Sequence, residues 1–281
     1  MKTVRIIPRL DIKGPNLVKG IHFEGLRVLG NPNDYAREYY SLHADELMYV
    51  DVVASLYERN SLSNIISETA KEIFIPLTVG GGLRSVEDIV NVLKAGADKV
   101  SLNTAAIKNP QLIREASLSF GSSTIVVSIE AIKQKDGSYL AYTDNGREYT
   151  GLNVLEWAQK VDELGAGEII ISSVDKEGTA EGFDVELTRI ISESVSVPVI
   201  AHGGAGCLQD IIDVIKIGKA DAVSIASILH YGIKDNFNNN YNKKEGNVEF
   251  LKQNIGFSKI NPINLLELKK ELVKNNINCR I

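Results

Sequence analysis

Cysteine is scarce in this chain, and its scarcity excludes several classes of protein. The 281 residues include two cysteines, Cys207 and Cys279, and neither lies in a metal-ligand spacing. Two thiols cannot make the disulfide framework of a small secreted protein, so we expect a reducing, cytoplasmic environment.

Long apolar runs and an excess of basic residues are also missing. No run approaches the roughly 18 apolar residues that a membrane span needs, and residues 1–8 lack the apolar core of a signal peptide. The net charge of −5 gives no support to general binding of nucleic acid or of a membrane surface. Apolar residues make up 44% of the chain, which is enough for the core of one large domain.

Short β-branched segments alternate with amphipathic segments along the chain. Eight segments have strand character, at 4–11, 47–53, 75–79, 99–103, 124–130, 168–174, 197–201 and 222–226. Helical patterns occupy 33–42, 61–72, 86–95, 110–117, 154–164, 185–193, 208–217 and 262–274. Eight strands alternating with helices predict an α/β fold, a closed (β/α)8 TIM barrel. An open doubly wound sheet is the alternative.

A repeat at half-length favours the barrel. Residues of the same type recur 122 positions apart (198 − 76), in the pairs Pro76/Pro198, Gly81/Gly203, Gly82/Gly204, Asp88/Asp210 and Gly96/Gly218. Two copies of a four-unit half close naturally into eight units. We therefore predict a single domain over residues 1–281, with half-barrels at about 1–121 and 122–281.

Three segments do not belong to the plain barrel. Residues 13–30 follow the first strand and are glycine-rich, which suggests a mobile lid. Residues 134–149 contain turn residues typical of a small hairpin added after the fifth strand. Residues 231–257 are polar and predict a surface insertion before the last helix.

Two glycine loops follow the third and seventh strands, where backbone N–H groups and a helix N-terminus can hold an anion. Simple tight turns are the alternative, but two loops related by the repeat favour phosphate binding. The residues expected to form the two phosphate cradles are Gly81, Gly82, Asn103 and Thr104 in one, and Gly203, Gly204, Ala226 and Ser227 in the other. Because the two cradles face each other across the barrel mouth, we expect a substrate with a phosphate at each end.

Acidic residues end several of the predicted strands. Asp11 and Glu130 end the opposite first and fifth strands, so they could act as general acid and base across a bound substrate. Asp51 ends the second strand, while Asp175 and Glu177 follow the sixth and could equally be solvated loop acids. Lys19 could close over a phosphate or remain in solvent.

Four charged residues lie near strand starts, at the opposite end of the predicted barrel: Arg5, Glu46, Lys99 and Glu168. If they point inward they form a ring of two cations and two anions. On these residues alone, charges that simply solvate the strand ends are the better interpretation.

Many motifs now fall in order at barrel spacing: Arg5-Ile6-Ile7-Pro8, Leu10-Asp11-Ile12-Lys13, Val18-Lys19-Gly20, Asp45-Glu46-Leu47, Asp51 with Ala54-Ser55, Val79-Gly80-Gly81-Gly82, Asp98-Lys99-Val100-Ser101, Asn103-Thr104-Ala105 and Gly203-Gly204-Ala205-Gly206. Together they resemble the HisF family, the cyclase subunits of imidazole glycerol phosphate synthase in histidine biosynthesis. The resemblance runs from about residue 4 to 230 and resumes in the last helix.

The resemblance implies a barrel that forms a heterodimer with a HisH-like glutaminase. Ammonia from the glutaminase would pass along the barrel axis to a bisphosphorylated ribulosyl nucleotide, giving imidazole glycerol phosphate and an aminoimidazole carboxamide ribotide. It implies no metal and no organic cofactor. The resemblance also implies that Asp11 and Glu130 are the catalytic pair. It implies that the four charged residues near the strand starts form an ammonia gate, which replaces the interpretation that they only solvate the strand ends. We expect substrate binding by the two glycine loops and by Lys19, Asp51, Ser172, Glu177 and Gly178.

Four residues depart from the family pattern. Glu130 and Glu177 stand where aspartate is expected, Arg9 where cysteine is usual, and His202 where the family has a small residue. We expect Arg9 to hold Glu130 ionised. This set of changes resembles a second group of HisF-like proteins, which supply ammonia for placing acetamidino groups on bacterial surface sugars. The sister isomerase on the same half-barrel fold fits less well, because it needs no gate.

Overall fold

The computed structural model describes residues 2–54, 62–234, 237 and 259–281. The predicted start of a helix at 61 and almost all of the predicted insertion at 231–257 lie outside the described residues.

Twelve strands occur in the described part of the chain: β1 Arg5–Lys13, β2 Asn16–Ile21, β3 Glu24–Gly30, β4 Leu47–Asp51, β5 Leu77–Gly80, β6 Lys99–Leu102, β7 Ile125–Lys133, β8 Tyr139–Thr143, β9 Glu148–Asn153, β10 Glu168–Ser173, β11 Val199–His202 and β12 Ala222–Ile225. Eight of them pair in the order β1, β4, β5, β6, β7, β10, β11, β12, and β12 pairs in parallel with β1. All eight predicted barrel strands are present, and the predicted TIM barrel is confirmed.

Helices cover the outside of the barrel: α1 Pro32–Ser41, α2 Ser63–Thr69, α3 Val86–Ala95, α4 Thr104–Lys108, α5 Gln111–Phe120, α6 Val154–Glu163, α7 Val185–Ser192, α8 Leu208–Lys216, α9 Ser227–Ile233 and α10 Leu265–Lys274. Local signals set their ends. A capping box of Ser85 and Asp88 starts α3, and Gly96 ends it with φ +117°, a value that favours glycine. Within the described residues, none of these helices is long and apolar enough to cross a membrane. The sequence patterns missed α4 and α9, which are only one to two turns long.

The barrel interior follows from the alternation of side chains along each strand. An apolar layer inside the barrel is formed by Ile7, Met48, Val126, Ile170, Ile200 and Ala222. Neighbouring residues such as Ile6 and Leu10 point the other way and belong to the larger core between the barrel and the helices. The same alternation on β1 puts Arg5 at the bottom of the interior and Arg9 and Asp11 at its top.

The segment 13–30 is not an irregular loop. After Lys13 the chain forms an antiparallel hairpin of β2 and β3, paired with the end of β1 through Asp11 and Val18. The amide of His22 donates to the carbonyl of Glu177 at 2.9 Å, which connects the hairpin to the loop after β10. Residues 134–149 form the predicted hairpin: β8 pairs with the end of β7 and with β9. The mobility of 13–30 stays a prediction.

Candidate active site

The first glycine loop leaves β5 at the carboxyl end of the barrel. Gly81 has φ +99° and Gly82 φ +73°, and a Cβ at Gly81 would collide with the backbone of Asp51. Only glycine fits such a position. The loop lines a cavity of about 290 Å³, shared with Asp51, Asn103, Thr104 and Glu130. The structure therefore brings together the residues expected to form the first cradle.

The second glycine loop follows β11. Gly203 has φ +94°, and a Cβ there would lie 2.8 Å from the carbonyl oxygen of Ser173. The cavity at this loop is only about 20 Å³ and is lined by predicted site residues: Lys19, Glu177, Gly178, Gly203, Gly204, Ala226 and Ser227. This volume holds about one water molecule, and the paired side chains of Lys19 and Glu177 form part of its wall.

Four buried charges meet between the two loops. Arg9 Nε donates to Asp11 Oδ1 at 2.8 Å, Lys19 Nζ lies 3.3 Å from Asp11 Oδ2, and Lys19 also pairs with Glu177. The amide of Phe23 donates to the other oxygen of Glu177 at 3.1 Å. All four charged side chains are almost completely buried, so Lys19 is not in solvent and Glu177 is not a solvated loop acid. Asp175 instead accepts from the amide of Lys133 at 2.8 Å, in an exposed position.

Asp11 and Glu130 have opposite pKa shifts. Burial by itself raises the pKa of Asp11, but the charges of Arg9 and Lys19 outweigh it and hold that pKa well below its usual range. Burial raises the pKa of Glu130 to about 7, and the Gly146 amide, which donates to Oε2 at 2.8 Å, offsets this only in part. Arg9 favours the ionised form of Glu130, as expected, but not strongly enough to keep the pKa of Glu130 in its usual range. Arg9 donates to Asp11 instead, and its weaker effect on Glu130 is outweighed by burial.

The turn between β8 and β9 contributes to the site, which the sequence patterns did not indicate. Asp144 and Asn145 line the larger cavity, and Thr104 Oγ1 lies 3.5 Å from Asp144 Oδ1. Asn145 Nδ2 donates to the carbonyl of Val52 at 2.8 Å and anchors the turn at the barrel mouth. The Asp-Asn-Gly run indicated a hairpin turn, but nothing in it showed that this turn folds over the mouth.

Two further predicted residues lie at the same end of the barrel. Asp51 borders the first loop and accepts the Val53 amide at 3.1 Å. Ser172 is buried on β10, and its hydroxyl has no hydrogen-bond partner among the described residues.

The charged ring of Arg5, Glu46, Lys99 and Glu168 lies at the opposite end. Arg5 Nη1 is 2.9 Å from Glu46 and 3.0 Å from Glu168, while Lys99 Nζ is 2.9 Å from Glu46 and 3.2 Å from Glu168. Each cation contacts both anions, so the four side chains form a closed, alternating ring. The interpretation of these charges as independently solvated strand ends is wrong.

Comparison with known proteins agrees with this geometry. The family model described as histidine biosynthesis protein matches residues 5–235. The chain belongs to the HisF family. A relative described as imidazole glycerol phosphate synthase subunit HisF, from Legionella pneumophila, is 57% identical over 210 residues, which are 75% of this chain and 99% of the relative. The match to this family spans every barrel strand, both glycine loops and the charged ring, and it confirms the family expected from the motifs.

Proposed function

We propose that this HisF-family protein is the cyclase subunit of an imidazole glycerol phosphate synthase, acting in the cytoplasm as a heterodimer with a glutaminase. Ammonia from the glutaminase converts a bisphosphorylated ribulosyl nucleotide into imidazole glycerol phosphate and an aminoimidazole carboxamide ribotide. The description of the Legionella relative as imidazole glycerol phosphate synthase subunit HisF supports this assignment.

The observation that carries the proposal is the opposite shift of two buried carboxyl groups. Asp11 is held ionised by Arg9 and Lys19, which is the form that a base needs, and it becomes a stronger proton acceptor when the substrate draws these cations away from it. Glu130 has a pKa of about 7, so it carries a proton in a large fraction of molecules at neutral pH and can donate it. The proposed reaction closes a ring with loss of water and also cleaves a bond in the substrate. Both steps need a proton acceptor and a proton donor.

The glycine loops and the charged ring fit the remaining steps. The loops on either side of this pair suit the two phosphates of the substrate. At the other end, the charged ring would meet the glutaminase and admit ammonia. The apolar layer above it, which includes Ile7, Met48 and Ile170, suits a small neutral molecule better than a cation.

The test uses purified protein, the ribulosyl nucleotide and ammonium salt at pH 8, with product measured by absorbance or chromatography. We expect ammonia-dependent turnover in the wild type, its loss in Glu130→Gln, and equal or better turnover in Glu130→Asp. Activity that survives Glu130→Gln contradicts the role of Glu130, and an inactive wild type contradicts the cyclase function.

One observation favours a second function. The cavity at the second cradle, which Lys19 and Glu177 line together with the loop, has a volume of only about 20 Å³, too little for a phosphate unless its lining moves. A protein that only conducts ammonia, for a separate amidotransferase acting on a surface sugar, needs no open cradle. Such a protein would still activate its glutaminase, but it would not turn over the nucleotide or complement a histidine auxotroph that lacks the cyclase.

A further inference from the structure

His202 ends β11 beside the second glycine loop, and its two ring nitrogens have different surroundings. Nδ1 lies 2.9 Å from the carbonyl oxygen of Ser224, and a carbonyl can only accept, so Nδ1 carries the proton. The side chain is 4% exposed, and Nε2 has no hydrogen-bond partner among the described residues. Nε2 of His202 is thus a buried ring nitrogen with no hydrogen-bond partner in the described part of the chain.

The imidazole is neutral in this position. Burial is the largest effect, and together with the charges of Arg9 and Lys19 it holds the pKa of His202 well below its usual range, against the opposing charge of Asp11. A neutral ring with the proton on Nδ1 has a lone pair on Nε2. This nitrogen is therefore an acceptor, and leaving a buried acceptor unpaired is unfavourable.

The acceptor lies in a row of polar groups that face the barrel interior. Ser172, His202 and Ser224 are register neighbours on β10, β11 and β12. The hydroxyl oxygens of Ser172 and Ser224 also lack partners among the described residues. His202 and Ser224 border the cavity at Gly203 and Gly204. The row therefore runs from the second cradle across three neighbouring strands of the barrel.

We propose that His202 is a specificity-determining residue, whose Nε2 accepts a hydrogen bond from a hydroxyl group of the substrate next to the phosphate bound at the second glycine loop. This inference rests on the proposed function, which puts a polyol phosphate at that loop. A phosphate dianion offers only acceptors and cannot satisfy this nitrogen. The charges of Arg9 and Lys19 disfavour an ammonium ion at this nitrogen, and together they act against the single opposing charge of Asp11.

Two substitutions separate the contacts of the two ring nitrogens. In His202→Asn the short amide can still donate to the carbonyl of Ser224, but no atom remains at the position of Nε2. In His202→Gln the longer side chain can place an amide oxygen there. His202→Asn therefore removes the acceptor and His202→Gln restores it, and both variants keep a polar side chain.

The probes are glycerol 3-phosphate and propyl phosphate, which carry the same charge but differ in hydroxyl groups, titrated into the full-length protein by calorimetry. We expect the wild type to bind glycerol 3-phosphate at least about 10-fold more tightly than propyl phosphate. The preference should fall below about 2-fold in His202→Asn and recover in His202→Gln. In wild-type protein labelled with ¹⁵N, the Nε2 resonance should shift with glycerol 3-phosphate and stay unchanged with propyl phosphate.

Several results would overturn the inference. The inference is overturned if the wild type binds both probes with equal affinity or if neither probe binds. It is also overturned if the preference for glycerol 3-phosphate persists in His202→Asn. A shift of Nε2 caused by ammonia at pH 9 but not by glycerol 3-phosphate would assign the nitrogen to ammonia instead. The NMR measurement needs no variant and no turnover, so its outcome is separate from that of the cyclase assay.

Discussion

Replacing Glu130 by glutamine should make the protein more stable at pH 8, although it removes the proposed catalytic acid. Folding raises the pKa of this carboxyl from 4.5 to about 7, chiefly through burial. The folded state therefore binds the proton more tightly than the unfolded chain does. The contribution of Glu130 to stability is fully present below pH 4.5, falls as the pH rises towards 7, and stays low above that.

The size of the effect follows from the shift. One pKa unit corresponds to about 1.4 kcal/mol, so ionised Glu130 costs the folded state about 3 kcal/mol at pH 8. Glutamine carries no charge at any of these pH values, and its amide oxygen can still accept from Gly146. The variant should thus gain about 3 kcal/mol at pH 8 and almost nothing at pH 4.5.

Urea unfolding of wild type and Glu130→Gln at several pH values between 4.5 and 8 measures this difference. Glu115→Gln, an exposed change on α5, is the control and should alter the free energy of unfolding by less than about 0.5 kcal/mol at each pH. A difference between wild type and Glu130→Gln that does not vary with pH would show that Glu130 ionises normally, and the assignment of Glu130 as a proton donor would lose its basis.

Three further results are expected. Gly81→Ala should lower the free energy of unfolding by about 3 kcal/mol, because Gly81 has a positive φ and a Cβ there collides with the backbone of Asp51. Gly137→Ala, at φ +88° with no atom within 4 Å of the added Cβ, should lower it by only about 1 kcal/mol, and urea unfolding compares the two variants. Lys99→Glu should reduce glutamine-dependent turnover at least 10-fold more than ammonia-dependent turnover, and adding Glu168→Lys should restore coupling; unchanged coupling contradicts the gate. Crystals soaked in phosphate should show density at both glycine loops, and density at neither would remove the argument for a bisphosphate.

The sequence by itself determined the barrel and the type of its binding loops. Strand periodicity and the half-length repeat are local or pairwise patterns, and the strands of such a barrel are largely apolar because helices cover one face and the barrel interior buries the other. The glycines of the two loops could be recognised for a similar reason. Positive φ angles at Gly81 and Gly203 require glycine wherever the rest of the chain lies.

Only the tertiary structure decided how the charges of the site are paired. Lys19 and Glu177 are far apart in the chain, and no pattern showed that the hairpin of β2 and β3 would bury one against the other. Arg9 is also near Glu130, but its bond goes to Asp11. The pKa of Glu130 depends on burial and on neighbours from several loops, including the amide of Gly146. Electrostatic interactions act through space between residues distant in sequence, so the residue types could be read in advance but their protonation states could not.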